Sequence, residues 1–223
     1  MKVLVLTAAA MLLSLGVSGQ PSAAELSPGC QAPGQTLDES GFITVGGIRQ
    51  WVTVEGRDCA NPVVLIVHGG PGNPNTPFSH ALFGDWARDY TVVQWDQRGA
   101  GKTYGANKPG EDEPLTLEQL TADGVEMARY ATQRFGKRKV IIMGGSWGSA
   151  LAVNIAMAAP DLFSGYVGTA QLANYQLAMA ASYTKTLALA RAAGDTESMG
   201  KLESLGAPPW TSPRAFGVLR RIT

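Results

Sequence analysis

The sequence predicts an α/β fold in which a mostly parallel sheet carries helices on both faces, and three observations carry that expectation. Val63–Val67, Val92–Trp95 and Lys139–Met143 are short, almost unbroken apolar runs, the pattern of strands covered on both sides. Each run passes straight into a glycine-bearing loop: His68-Gly69-Gly70-Pro71-Gly72, Asp96-Gln97-Arg98-Gly99-Ala100-Gly101 and Gly144-Gly145-Ser146-Trp147-Gly148. Helical patterns separate the runs, so the loops leave the same, carboxyl, edge of the sheet, where ligands bind in such folds.

Taken in order, the chain begins with Met1-Lys2, an apolar stretch from Val3 to Val17, and small residues ending in Ser22-Ala23-Ala24. That is the pattern of a secretory signal, shorter than the roughly 20 apolar residues of a membrane span. Cleavage is expected after Ala24, with Val17-Ser18-Gly19 as the alternative site. Residues 1–24 are therefore read as a signal peptide and 25–40, rich in Ser, Pro, Gly and Gln, as a flexible lead-in. Export makes Cys30 and Cys59 a candidate disulfide, although spacing alone leaves two unpaired cysteines open.

Gly41–Val45 and Ile48–Val54 around Gly46-Gly47 read as a hairpin, because two glycines supply the positive φ of a two-residue turn. The Val63–Val67 strand follows, then a helix expected from Pro77 to Arg88, which holds His80, and the Val92–Trp95 strand. Thr116-Leu117-Glu118-Gln119 is a capping box that opens a helix closed by Gly136. The Lys139–Met143 strand and a helix running to Ala159, stopped by Pro160, come next. Phe163–Thr169 is the sixth strand, and an Ala-rich helix is expected from Leu172 to Ala193. Residues 41–171 are thus the sheet domain and 172–223 a separate helical segment.

Gly144-Gly145-Ser146-Trp147-Gly148 fits G-x-S-x-G between a strand and a helix. There the serine sits on a strained turn, with no side chain at either flanking glycine to obstruct it. Ser146 is the candidate nucleophile. Together with the HGGPG and DQRG loops, in this order and spacing, the motif resembles the proline iminopeptidase-like branch of the α/β-hydrolases, over about residues 40–215. The resemblance implies an α/β-hydrolase fold and an acyl-enzyme at Ser146, with the backbone N–H groups of Gly70 and Trp147 as the oxyanion hole. It also makes 172–223 part of a helical cap, with Tyr175, Tyr183 and Trp210 either lining the site or packing the cap. His68, Gly69, Pro71, Gly72, Asp96 and Arg98 are expected to support the loops, with Asp96 and Arg98 acting through charge-assisted hydrogen bonds. His68 precedes the serine, whereas this fold supplies its histidine last, so a loop-shaping role is expected of it.

Composition narrows the partners. Lysine plus arginine equals aspartate plus glutamate at 18 each, so no global field draws nucleic acid or an anionic membrane. With two histidines and no CxxC, a protein-built metal site is not expected, and no cofactor is implied. A small peptide or ester is the expected substrate, met in the periplasm or outside the cell. One departure from the family is plain: no histidine follows Ser146, and the acids after it are Asp161, Asp195, Glu197 and Glu203. The expectation is a chain lacking the carboxyl-terminal strands that bear the triad acid and base. Three functions then compete: a secreted peptidase releasing an amino-terminal residue such as proline, a small-ester or amide hydrolase, and a catalytically incomplete fragment.

Overall fold

The structure is a computed structural model that describes Leu26 and residues 29–108, 110, 113–210 and 212–222. The expected signal peptide and both cleavage sites lie outside those residues. Six strands form one sheet in the order β1-β2-β4-β3-β5-β6. These are β1 (Leu37–Val45), β2 (Ile48–Gly56), β3 (Val63–Val67), β4 (Thr91–Trp95), β5 (Val140–Gly145) and β6 (Phe163–Thr169). The hairpin β1-β2 joins β4 antiparallel, while β4-β3, β3-β5 and β5-β6 pair parallel.

Central strands show why the apolar runs are legible. All five residues of β3 are buried, because successive side chains enter opposite layers. Val63, Leu65 and Val67 join a large cluster under α3 (Leu117–Arg134) and α4 (Trp147–Ala158), where Met127, Ala128, Leu151 and Ile155 pack. Val64 and Ile66 face the other side with Val92, Phe83 and Tyr90. Thr116 caps α3 by accepting the Gln119 N–H at 3.1 Å.

Three expected boundaries need correction. β1 starts at Leu37 rather than Gly41, so residues 37–40 belong to the sheet and not to a flexible lead-in. Leu37, Gly41 and Val45 are buried at a spacing that two-residue alternation permits, and the intervening Asp38, Glu39 and Ser40 disguise it. Upstream, the lead-in is pinned by a Cys30–Cys59 disulfide that closes a 29-residue separation. In the chain-entropy model a loop of that length contributes about 3.5 kcal/mol. The helix expected over Pro77–Arg88 is instead a 3₁₀ turn at Thr76–Phe78, a five-residue α1 (Ser79–Phe83) and a second 3₁₀ turn at Trp86–Arg88, with Gly84 ending α1.

Beyond β6, helix α5 (Tyr175–Ala193) starts three residues later than expected, because the Asn174 side chain caps it by accepting the Leu177 N–H. Two further helices follow, unassigned from the sequence: α6 (Thr196–Leu205), capped by Asp195, and α7 (Pro213–Ile222). The three helices share their own apolar cluster of Met179, Tyr183, Leu187, Leu202 and Leu219. A short helix α2 (Gly101–Asn107) completes the set beside β2. Among the described residues no helix is long and apolar enough to cross a membrane.

Candidate active site

Ser146 occupies the turn between β5 and α4 with φ 53° and ψ −125°, in the left-handed half of backbone space that costs a residue with a Cβ. The residue is exposed at the carboxyl edge of the sheet. The surroundings hold it there. A Cβ on Gly144 would lie 2.1 Å from the Gly148 carbonyl oxygen, and one on Gly148 would lie 2.2 Å from the Val67 oxygen. Both glycines are therefore required for close approach, which lets α4 start directly against the end of β3. The first turn of α4 then presents the Trp147 N–H without an intrahelical acceptor.

The HGGPG loop comes to the same place. A Cβ built on Gly69 would sit 3.6 Å from the Ser146 Cβ, so this loop and the serine are neighbours. Gly70 has φ 119°, and the loop turns through an Asn73 N–H to Gly69 O bond of 3.3 Å. Among the described residues, the N–H groups of Gly70 and Trp147 donate to no protein acceptor. Pro71, joined to Gly70 by a cis peptide, and Gly72 are exposed.

His68 lies beneath this loop, 2% exposed. Its Nε2 accepts the Gln97 N–H at 3.1 Å, and Nδ1 is 3.0 Å from the Gly69 oxygen, the donor side of a neutral ring. Gln97 returns a bond from its side-chain amide to the His68 carbonyl at 3.0 Å. Burial pushes the imidazole pKa below its ordinary value, opposed by the Gly69 hydrogen bond and the nearby Asp96 charge. With both nitrogens occupied, His68 braces the loop and has no lone pair to offer Ser146. His80 is no better placed to act as a base, since it meets Glu55 at 3.2 Å, near the start of β4, at the other edge of the sheet.

Asp96 is 1% exposed and accepts from Thr76 Oγ1 at 2.5 Å and from the Lys102 N–H at 2.7 Å. It thereby ties the segment after the HGGPG loop to the start of α2. Arg98 forms its charge-assisted bonds to Asp123 of α3, Nε to Oδ2 at 2.9 Å and Nη2 to Oδ1 at 3.1 Å. Gln50 adds a third donor to that carboxylate at 2.8 Å, and Arg98 Nη2 also reaches the Gly46 oxygen at 2.7 Å. Sequence patterns do not single out Asp123 or Gln50. An acid inside an otherwise apolar helix face is the available signal for Asp123, since a buried carboxylate needs a partner.

Ser149 escapes the sequence patterns as well. It is fully buried on α4, donates to the Ser146 carbonyl at 2.6 Å and accepts the Leu172 N–H at 2.9 Å. The cap aromatics divide. Tyr183 and Trp210 pack edge to face at 5.7 Å inside the α5–α7 cluster, whereas Tyr175 is half-exposed and near Phe216. Of the acids after Ser146, Asp195 caps α6, Glu197 pairs with Lys201 and Glu203 with Arg191. Asp161 precedes β6 at its amino end.

A mostly parallel sheet with an exposed serine on a strained strand-to-helix turn defines the α/β-hydrolase class. The alpha/beta hydrolase fold family matches residues 62–202, and the chain belongs to it. Its relatives include proteins named as aminopeptidases and proline iminopeptidases. A probable aminopeptidase of Bacillus subtilis is 30% identical over 75% of this chain and 52% of its own length. The proline iminopeptidase of Neisseria gonorrhoeae is 32% identical over 57% of this chain and 38% of its own length. The crystal structure of a proline iminopeptidase-related protein from Thermus thermophilus shares the fold, with a TM-score of 0.57 and 20% identity over 82% of this chain and 56% of that one. The chain spans about half the length of the Bacillus relative and less of the Neisseria one.

Proposed function

We propose that this protein is an exported serine hydrolase that releases an amino-terminal residue, proline among them, from peptides through an acyl-enzyme at Ser146. One observation carries the reading: an exposed serine at φ 53°, locked between two glycines, beside a loop whose Gly70 N–H is unspent. The names of the relatives support the peptide substrate, and the amino-terminal signal pattern supports export.

In this reading Ser146 Oγ attacks the scissile carbonyl carbon, and the oxygen that becomes negative is held by the Gly70 and Trp147 N–H groups. The amine then leaves, and water attacks the acyl-serine to release the residue. The serine proton needs an acceptor. His68 is committed to Gln97 and Gly69, and His80 lies at the far edge, so neither histidine of the chain can serve. These residues accordingly supply the nucleophile and oxyanion side of the reaction and not its imidazole. That favours a second statement: residues 25–223 alone turn over poorly, since loss of a triad member in comparable enzymes leaves about 10³ to 10⁴-fold catalysis over water.

The test is acylation by an activated ester. Purified residues 25–223 should give no stoichiometric burst, and a preparation that does hydrolyse aminoacyl substrates should lose activity on Ser146→Ala with its fold intact. A rate unchanged by Ser146→Ala would sink the nucleophile assignment. A rapid burst from the 25–223 protein that Ser146→Ala removes would show that the chain does contain a base. Mass of the exported form should begin at Glu25, and retention of Met1 would exclude the signal.

A further inference from the structure

Ser149 stands one turn after the nucleophile, and nothing in the reaction above uses its hydroxyl. A buried serine in a helix ordinarily satisfies its proton by bonding back to its own turn, as Ser149 does to the Ser146 oxygen. Its acceptor side, however, is spent on Leu172, 23 residues away, in the segment that leaves β6 for α5. That segment is tied to the nucleophile a second time, by the Ser146 N–H to the Thr169 oxygen at 3.0 Å. Between the two ties Ala170 is held at φ 46°, a conformation a non-glycine residue keeps only under constraint. Tyr166 closes the arrangement, its hydroxyl lying 3.2 Å from the Ser149 oxygen and against Gln171.

Helices α5–α7 bury their apolar residues mainly among themselves. Where they stand relative to Ser146 therefore depends heavily on residues 169–172. Removing the Ser149 hydroxyl would free the Leu172 N–H, yet the nucleophile would keep its two backbone bonds, Ser149 N–H to Ser146 O at 2.9 Å and Ser146 N–H to Thr169 O.

We propose that Ser149 is a positioning residue that sets the path of residues 169–172 past the nucleophile and, through them, the placement of α5–α7 against the substrate. The proposal rests on Ser146 being the nucleophile of an aminoacyl hydrolase. It places the effect of Ser149 on substrate affinity and not on the elbow.

The experiment compares the chain with its Ser149→Ala and Ser149→Thr variants by amide hydrogen exchange and by the Kd of an aminoacyl anilide, with hydrolysis of the anilide followed in the same samples. In Ser149→Ala, exchange at Leu172 should quicken about tenfold and the Kd should rise about tenfold, the size of one net hydrogen bond. Protection at Ile142 and Leu151 should stay as in the wild type, and Ser149→Thr, which keeps the hydroxyl, should resemble the wild type in both readouts. Unchanged exchange at Leu172, or an unchanged Kd in Ser149→Ala, overturns the proposal. So does loss of protection throughout β5 and α4, which would make Ser149 a packing residue. A wild-type chain that binds no aminoacyl anilide overturns the peptidase reading and the substrate half of this one, while the exchange result at Leu172 is decided separately.

Discussion

The sheet domain and the α5–α7 segment are held together by different means. In the sheet domain Arg88 and Asp89 pair in water, but the side chains of Arg98 and Asp123 form a buried pair, 10% and 3% exposed. In α5–α7 the ion pairs lie in water, with Arg191 and Glu203 at 56% and 50% and Lys201 and Glu197 at 55% and 78%. Exposed pairs are screened and contribute little, whereas a buried carboxylate cannot lose its partner cheaply. The difference fits the chemistry. The buried polar bonds of His68, Asp96 and Asp123 hold the loops around Ser146. The helical segment has a small core of its own and is joined to the elbow by a few bonds.

Five substitutions or conditions sharpen the contrast. Asp123→Ala should have the largest effect, about 3–5 kcal/mol by urea denaturation, because Arg98 and Gln50 lose a shared buried acceptor. A loss under about 1 kcal/mol would mean that solvent already reaches the pair. Leu202→Ala, at a residue with no exposure, should cost about 2–5 kcal/mol, but locally. Hydrogen exchange should accelerate in α5–α7 while β3 and β5 stay protected, and uniform acceleration would show that the two regions unfold as one. Gly148→Ala should cost about 1–3 kcal/mol by forcing α4 away from the Val67 oxygen, measurable as a lower melting temperature.

The fourth concerns pH. His68 has its pKa lowered by burial, so the unfolded chain takes up its proton before the folded one does. Its contribution is complete above the unfolded value of about 6.5 and is lost as pH falls below it. Stability should decline on acidification from about pH 7 to about pH 5, and His68→Gln should flatten that slope. An unaltered slope would assign the acid sensitivity elsewhere. At the small end, Arg191→Ala should change stability by no more than about 0.5 kcal/mol.

Much of the fold and the centre of the site are legible in the order of residues, because the signals are local. Val63–Val67 and Lys139–Met143 could only be buried strands; Gly46-Gly47 could turn a hairpin; and Gly144 and Gly148 around Ser146 announce an elbow. Local signals fail where composition and pairing disagree. Asp38, Glu39 and Ser40 look like a loop and become strand because β2 is beside them to pair with. The stretch from Thr76 to Arg88 divides into two 3₁₀ turns and a short α-helix, although Gly84 between them keeps helical dihedrals.

Partnerships across distance are decided by the tertiary structure alone. Nothing near Arg98 in the chain points to Asp123, and nothing near Ser149 points to Leu172, since separations of 25 and 23 residues leave no periodicity to read. The same holds for His68. Its residue type suggests a base, and only the folded neighbours, a Gln97 N–H on one nitrogen and the Gly69 carbonyl on the other, make it a brace. Sequence by itself determined which groups could do chemistry, because reactivity is a property of the side chain and its turn. Which of them are free to do it depended on the fold, because a buried donor or acceptor is claimed by whatever the packing brings within hydrogen-bonding distance.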